Sequence, residues 1–217
     1  MELNLFVYVL LIFCIPYLSY SNFRIKPRKG FSILFISIIS SVILLNFSLL
    51  TVLGTLLLIA TLLINNKKIY PYFYGSSFTL LNFEIFNILN LNIFDFFLNY
   101  LFPISLVSGV FSSMMIGHWF LVDPTISKEG MKKIAITSTF QSLILTPLVF
   151  FEFIGQDIES IFKNVILILF LSTSILSFAS YKSLGEKSYT GVMASTGLSY
   201  LSLIVSLGAS GGLLLLS

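Results

Sequence analysis

Residues 112–133 read SSMMIGHWFLVDPTISKEGMKK and hold the one histidine and the one tryptophan of the chain, side by side. An imidazole changes charge near neutrality, so His118 is a natural proton carrier, and its ring nitrogens suit a hydrogen bond to a quinone carbonyl. Anchoring at a membrane surface competes with that chemistry. His118 lies about four residues, or ~6 Å of helical rise, from the end of an apolar segment, and Trp119 is a usual interfacial residue. On the next apolar segment, ITSTFQSLILTP places Gln141 about eight residues in, or ~12 Å deep, one turn deeper than His118 in an antiparallel pair. His118, Trp119 and Gln141 would then border one polar pocket, able to bond a quinone or relay a proton; the amide serves equally as interhelical glue. Glu84 is the fourth candidate. It sits between Asn82 and Asn87 in FTLLNFEIFNILNLNIF, and a carboxyl inside a membrane is costly unless neutral or paired.

Other chemistries fail by counting. A single cysteine, Cys14, supports neither an intrachain disulfide nor a cysteine zinc site. One histidine excludes a bis-histidine haem within one chain, and Met114, one turn earlier on the same helix, cannot clasp a haem from the opposite side. No histidine pair or histidine–carboxylate pair stands at ligand spacing, so no metal site is expected. Ser–His, paired-aspartate and HExxH constellations are not evident either, which argues against catalysis by the chain on its own.

Two small-residue seams are the strongest patterns. Gly191, Ser195, Ser199, Ser202 and Ser206, continued by Ser188 and Ser210, recur at steps of three or four and put one small face along the last helix. Gly109, Ser113 and Gly117 do the same at i, i+4 and i+8, and His118 projects roughly away from that face. In lipid, such faces let helix backbones approach closely and let hydroxyls bond across the contact. A helix–helix packing seam is the plain reading; a polar path lined by the same serines is the functional one.

These residues need helices to position them, and the composition supplies helices of one kind. Of 217 residues 57% are hydrophobic and only 10% charged, with a mean hydropathy of +1.00. An ordinary soluble domain carries about 25% charged residues, so the expected class is an all-α polytopic membrane bundle, one domain over residues 1–217. Apolar segments near 3–20, 30–46, 48–65, 100–122, 134–154, 162–181 and 190–216 give seven spans, and 72–92 gives an eighth despite its asparagines. If 72–92 crosses, the clusters at 24–29, 67–68, 128–133 and 182–187 fall on one side and hold all but one of the 12 basic residues, leaving Lys163 opposite. Positive charge collects on the cytoplasmic side, so eight spans are expected, with both termini outside; seven is the alternative. No basic charge precedes the first apolar run, so it reads as a retained helix rather than a signal peptide.

GHWFLVDP resembles a segment of uncharacterised bacterial polytopic membrane proteins, G-H-W-[FY]-L-V before a proline. The resemblance covers about eight residues. It implies no activity, and singles out Gly117, His118 and Trp119 as residues to test.

Three functions compete. A membrane-anchor or quinone-associated subunit of a respiratory or redox assembly fits short loops, two packing seams and one shallow histidine. A small-solute or ion transporter would use the serine face of the last helix and Glu84. An intramembrane enzyme ranks last. The lipid bilayer is the expected partner, with other membrane subunits or a second copy of the chain beside it; nucleic acid is excluded, because no basic face exists outside short loops.

Overall fold

The computed structural model describes residues 3–25, 29–63, 69–90, 92–124, 127–186 and 188–216, and every regular element among them is a helix. There are eight: α1 Leu3–Ile25, α2 Lys29–Leu45, α3 Leu49–Leu63, α4 Tyr70–Leu89, α5 Ile93–Val122, α6 Glu129–Phe150, α7 Ser160–Ser183 and α8 Tyr189–Leu216. The asparagine-rich segment is therefore helical from residue 72 to Leu89. Four helices, α5 to α8, are long and apolar enough to cross a membrane by length and composition. At 17 and 15 residues, α2 and α3 are shorter.

Helix ends follow local chemistry. Ser48 caps α3, its hydroxyl accepting from the Thr51 amide three residues on at 3.1 Å. Asn90 ends α4 in the left-handed region, φ 48°, which asparagine tolerates better than most residues. At the end of α6 the amides of Glu152 and Phe153 fold back to the carbonyls of Val149 and Leu148. That pattern puts the intervening residue in the left-handed region, where glycine is usual; here it is Glu152, φ 61°. Its carboxylate receives a 2.7 Å bond from the Lys163 ammonium, which holds its pKa below the usual carboxylate range. This contribution is present above the ordinary carboxylate pKa and disappears as pH falls through the lowered one.

α5 starts at Ile93, seven residues before the apolar reading places it, and its first turns widen into a π-helical stretch at Phe96–Leu101. Pro103, which has no amide hydrogen to give, lies two residues beyond it. α6 likewise starts at Glu129 rather than 134. The charged residues Glu129, Lys132 and Lys133 are helical, so the helix outruns its apolar stretch.

α5, α6, α7 and α8 close into a four-helix ring in which each packs on the next and α8 returns to α5. α1 lies along α5 and runs the same way, Leu10 level with Ser108 and the start of α2 level with Trp119. Ser108 Oγ donates to the Leu10 carbonyl at 2.7 Å, Cys14 Sγ to the Ser108 carbonyl at 3.7 Å and Tyr17 OH to the Ser105 carbonyl at 3.3 Å. α3 and α4 pair closely, with Ser77 Oγ donating to the Gly54 carbonyl at 2.7 Å. The α2–α3 turn meets the far end of α4, where Asn46 Nδ2 donates to Glu84 Oε1 at 3.1 Å. α4 thus runs back along the full length of α3.

Polarity is arranged inside out. Isoleucine, leucine and phenylalanine cover outward faces, among them Ile33, Leu44, Ile168, Ile175, Ile204 and Leu215, each more than three-fifths exposed. Serines and threonines fill inward positions on α5 to α8.

Glycine marks the closest approaches. A Cβ on Gly117 would stand 2.5 Å from Thr196 Oγ1 and 2.8 Å from Met131 Cε, whereas one on Gly197 would meet nothing within 4 Å. Gly117→Ala is therefore expected to destabilise the fold by about 1–3 kcal/mol, the usual cost of overpacking. Gly197→Ala should be neutral or stabilising by up to about 1 kcal/mol, since alanine favours the helix. Unfolding of both variants in detergent measures the contrast, and equal effects would contradict this packing.

Candidate functional site

The four-helix ring is lined by hydroxyls, and they meet in pairs across helix boundaries. Ser180 of α7 lies 2.7 Å from Ser195 and 3.3 Å from Ser199, both on α8. Ser199 lies 3.4 Å from Ser113 of α5, and Ser177 of α7 lies 3.0 Å from Ser202 of α8. Farther along, Ser210 donates to the Pro103 carbonyl at 3.0 Å, and Ser142 of α6 donates to the Phe170 carbonyl of α7. Ser206 bonds back to Leu203 within its own helix. All these serines are buried. Ser188 is not part of the face: it is exposed before α8 begins and bonds to Thr190 and Glu186.

A cavity of about 10 Å³ opens among Ser113, Ser138, Ser177, Ser180, Ser199 and Ser202, with Val110 and Ala135 on its apolar side. No ionisable side chain lines it. Its chemistry is that of neutral hydrogen-bond donors and acceptors.

Both seams found by spacing lie inside this assembly. Ser195, Ser199, Ser202 and Ser206 face inward, and Gly191 packs against the α7–α8 connection, where a Cβ would stand 2.5 Å from the Ser183 carbonyl. Gly109 makes room for Ser138 and Tyr17, Ser113 reaches Ser199, and Gly117 receives Thr196 and Met131. The matching face on α7, from Thr173 and Ser174 through Ser177 to Ser180, escaped the spacing argument. Its signal was available, since those residues recur every three positions in STSILSFAS.

His118, Trp119, Gln141 and Glu84 do not form one pocket. His118 is exposed on the outer side of α5. Trp119 turns the other way and lays its ring over Gly30 at the start of α2, closely enough that a Cβ there would collide with it. Gln141 bonds to Ser105 Oγ at 3.0 Å and accepts from Tyr17 OH at 3.3 Å. Ser105 is 13 positions before His118, or ~20 Å along α5, so Gln141 lies far deeper than one turn. The early start of α6 explains the difference: Gln141 is 12 residues into the helix rather than about eight. Tyr17, the partner that the spacing argument missed, could have been suspected because a tyrosine in an apolar helix needs somewhere to send its hydroxyl.

Glu84 belongs to a separate polar knot. Asn46 binds it, Thr51 lies within 3.4 Å of the same amide, and Tyr8 OH meets Thr51 Oγ1 at 2.7 Å. Glu84 is half-buried, five residues from the end of α4 rather than at its middle. Among the described residues no group of three or more histidine, cysteine, aspartate or glutamate side chains stands ready to hold a metal. Compared with protein families, curated proteins and solved structures, the chain matches none.

Ser202 and His118 make a contrasting pair. Ser202→Leu, like Ser199→Leu, should force α7 and α8 apart and cost about 1–3 kcal/mol, whereas His118→Phe should leave stability within about 0.5 kcal/mol, as surface changes usually do. Thermal unfolding in detergent tests both; a silent Ser202→Leu would place the serine face away from protein.

Proposed function

We propose that this chain is an eight-span integral membrane protein whose C-terminal four-helix ring forms a path, closed here, for a small neutral polar solute. The observation carrying the reading is the row of inward hydroxyls along α8, met by Ser113, Ser138, Ser142, Ser177 and Ser180 from the other three helices. A ring that only had to hold together has apolar side chains available, and it uses them near one end, at Leu145, Val149, Ile166, Phe170 and Leu213. Hydroxyls in the middle instead offer donors and acceptors to something that lacks them. A bare ion is disfavoured as the solute, because desolvating a charge is far costlier than desolvating a neutral polar group and no charged side chain lines the cavity.

Membrane embedding is supported by the apolar outward faces and by the pairing of helix ends. On this reading four connections, α1–α2, α3–α4, α5–α6 and α7–α8, belong to one end, and contacts support it for the first and the last two. Trp119 touches Gly30, Lys128 Nζ donates to the carbonyls of Glu186 and Ser188, and Tyr189 OH reaches the Leu121 carbonyl. These are the connections that carry the four basic clusters, while Lys163 lies at the other end beside Glu152. A basic, cytoplasmic end with both termini outside follows. Reporter fusions after Asn66, Lys133 and Lys187 should all report cytoplasm; an external reading after Asn66 alone would remove α4 from the spans.

Vesicles reconstituted with the protein should shrink and reswell in a glycerol or urea gradient at least several-fold faster than protein-free vesicles. Ser199→Leu, if it still folds, should abolish the gain. Equal rates with and without protein would defeat the transport reading. A second reading, a membrane-anchor or quinone-associated subunit, is favoured by the exposure of His118, which a partner chain can reach on the flank of α5. Copurification of a partner subunit or a quinone from native membranes, lost in a His118 variant, would support it.

A further inference from the structure

We propose that the cavity beside Ser138 is a binding site for a single water molecule that joins the hydroxyls of the ring into one hydrogen-bonded set. Ser138 is fully buried, lines the cavity and has no hydrogen-bond partner among the described residues. A buried hydroxyl left unbonded costs roughly 1–3 kcal/mol, so such groups nearly always find protein or water. Nearby hydroxyls solve the same problem by turning back onto their own helix: Thr139 donates to the Ala135 carbonyl at 2.9 Å and Thr196 to the Val192 carbonyl at 2.8 Å. Ser138 does neither. Its oxygen thus lacks a partner among the described residues.

The size of the cavity selects that partner. At about 10 Å³ it matches the ~10–15 Å³ that one water needs and admits nothing larger. The lining fits a molecule that both donates and accepts, because six serine hydroxyls surround the space and each can play either part. Without an occupant the bonds fall into two sets. One runs Ser195–Ser180–Ser199–Ser113, the other is Ser177–Ser202, and Ser138 belongs to neither. Both sets have members on the cavity wall. A water bonded to Ser138 and to one member of each set makes three bonds, the usual number for a buried water. It connects α5, α6, α7 and α8 at one level. The site stands whether or not the ring carries a solute.

An experimental structure of the wild-type protein in detergent or nanodiscs, at a resolution that shows ordered water, decides the matter. The expected result is one density peak within about 3 Å of Ser138 Oγ and of at least one cavity hydroxyl from each set, unchanged when sodium is replaced by a larger cation. Ser138→Ala, examined the same way, should lose or displace the peak while Ser180–Ser195 stays paired. An open cavity with no peak overturns the proposal. So does a Ser138 hydroxyl bonded directly to a neighbouring serine with the cavity closed, or a peak that comes and goes with sodium.

Discussion

A hydroxyl placed between two helices must find an acceptor there, because no bulk water reaches it, and this requirement governs how close the helices of the ring can come. A 2.7 Å bond between Ser180 and Ser195 fixes α7 against α8 at a separation that only small residues permit. Leucine at either position would have pushed the helices apart and broken Ser177–Ser202 and Ser113–Ser199 with it. At this level of the ring, hydroxyl bonds of modest individual worth stand where apolar contacts would otherwise be. Apolar packing takes over toward the end where Phe170 and Leu213 lie.

Much of this architecture could be read from residue order. Apolar stretches separated by basic clusters gave the count of helices, and steps of three or four gave the inward faces of α5 and α8. Helix limits were harder. Charge was taken to end a helix at residue 134, yet Glu129, Lys132 and Lys133 continue α6, since exposed charged residues cost a helix little. The same error brought Gln141 near the level of His118 and suggested a pocket that those two residues do not share. Partners drawn from distant helices were not legible at all: nothing in the spacing of α6 announces Tyr17, 124 positions earlier.

The histidine–tryptophan pair has divided duties that adjacency alone does not reveal. Successive residues on a helix point about 100° apart, so Trp119 is committed to Gly30 while His118 is left on the surface. Glycine is required at position 30 by that indole, which ties the start of α2 to the end of α5.

The pairing of α1 with α5 bears on how the chain is made. Leu10 and Ser108 are 98 positions apart, and Cys14 finds the same residue 94 positions on. α3 and α4, by contrast, are neighbours in the chain and can pair as soon as they emerge. During synthesis the Tyr17 hydroxyl must wait for the Ser105 carbonyl until α5, the fourth helix after α1, is made, and for Gln141 until α6, the fifth. The N-terminal half is assembled first but completed last, and a ribosome stalled before α5 would leave a first helix still short of its principal partner.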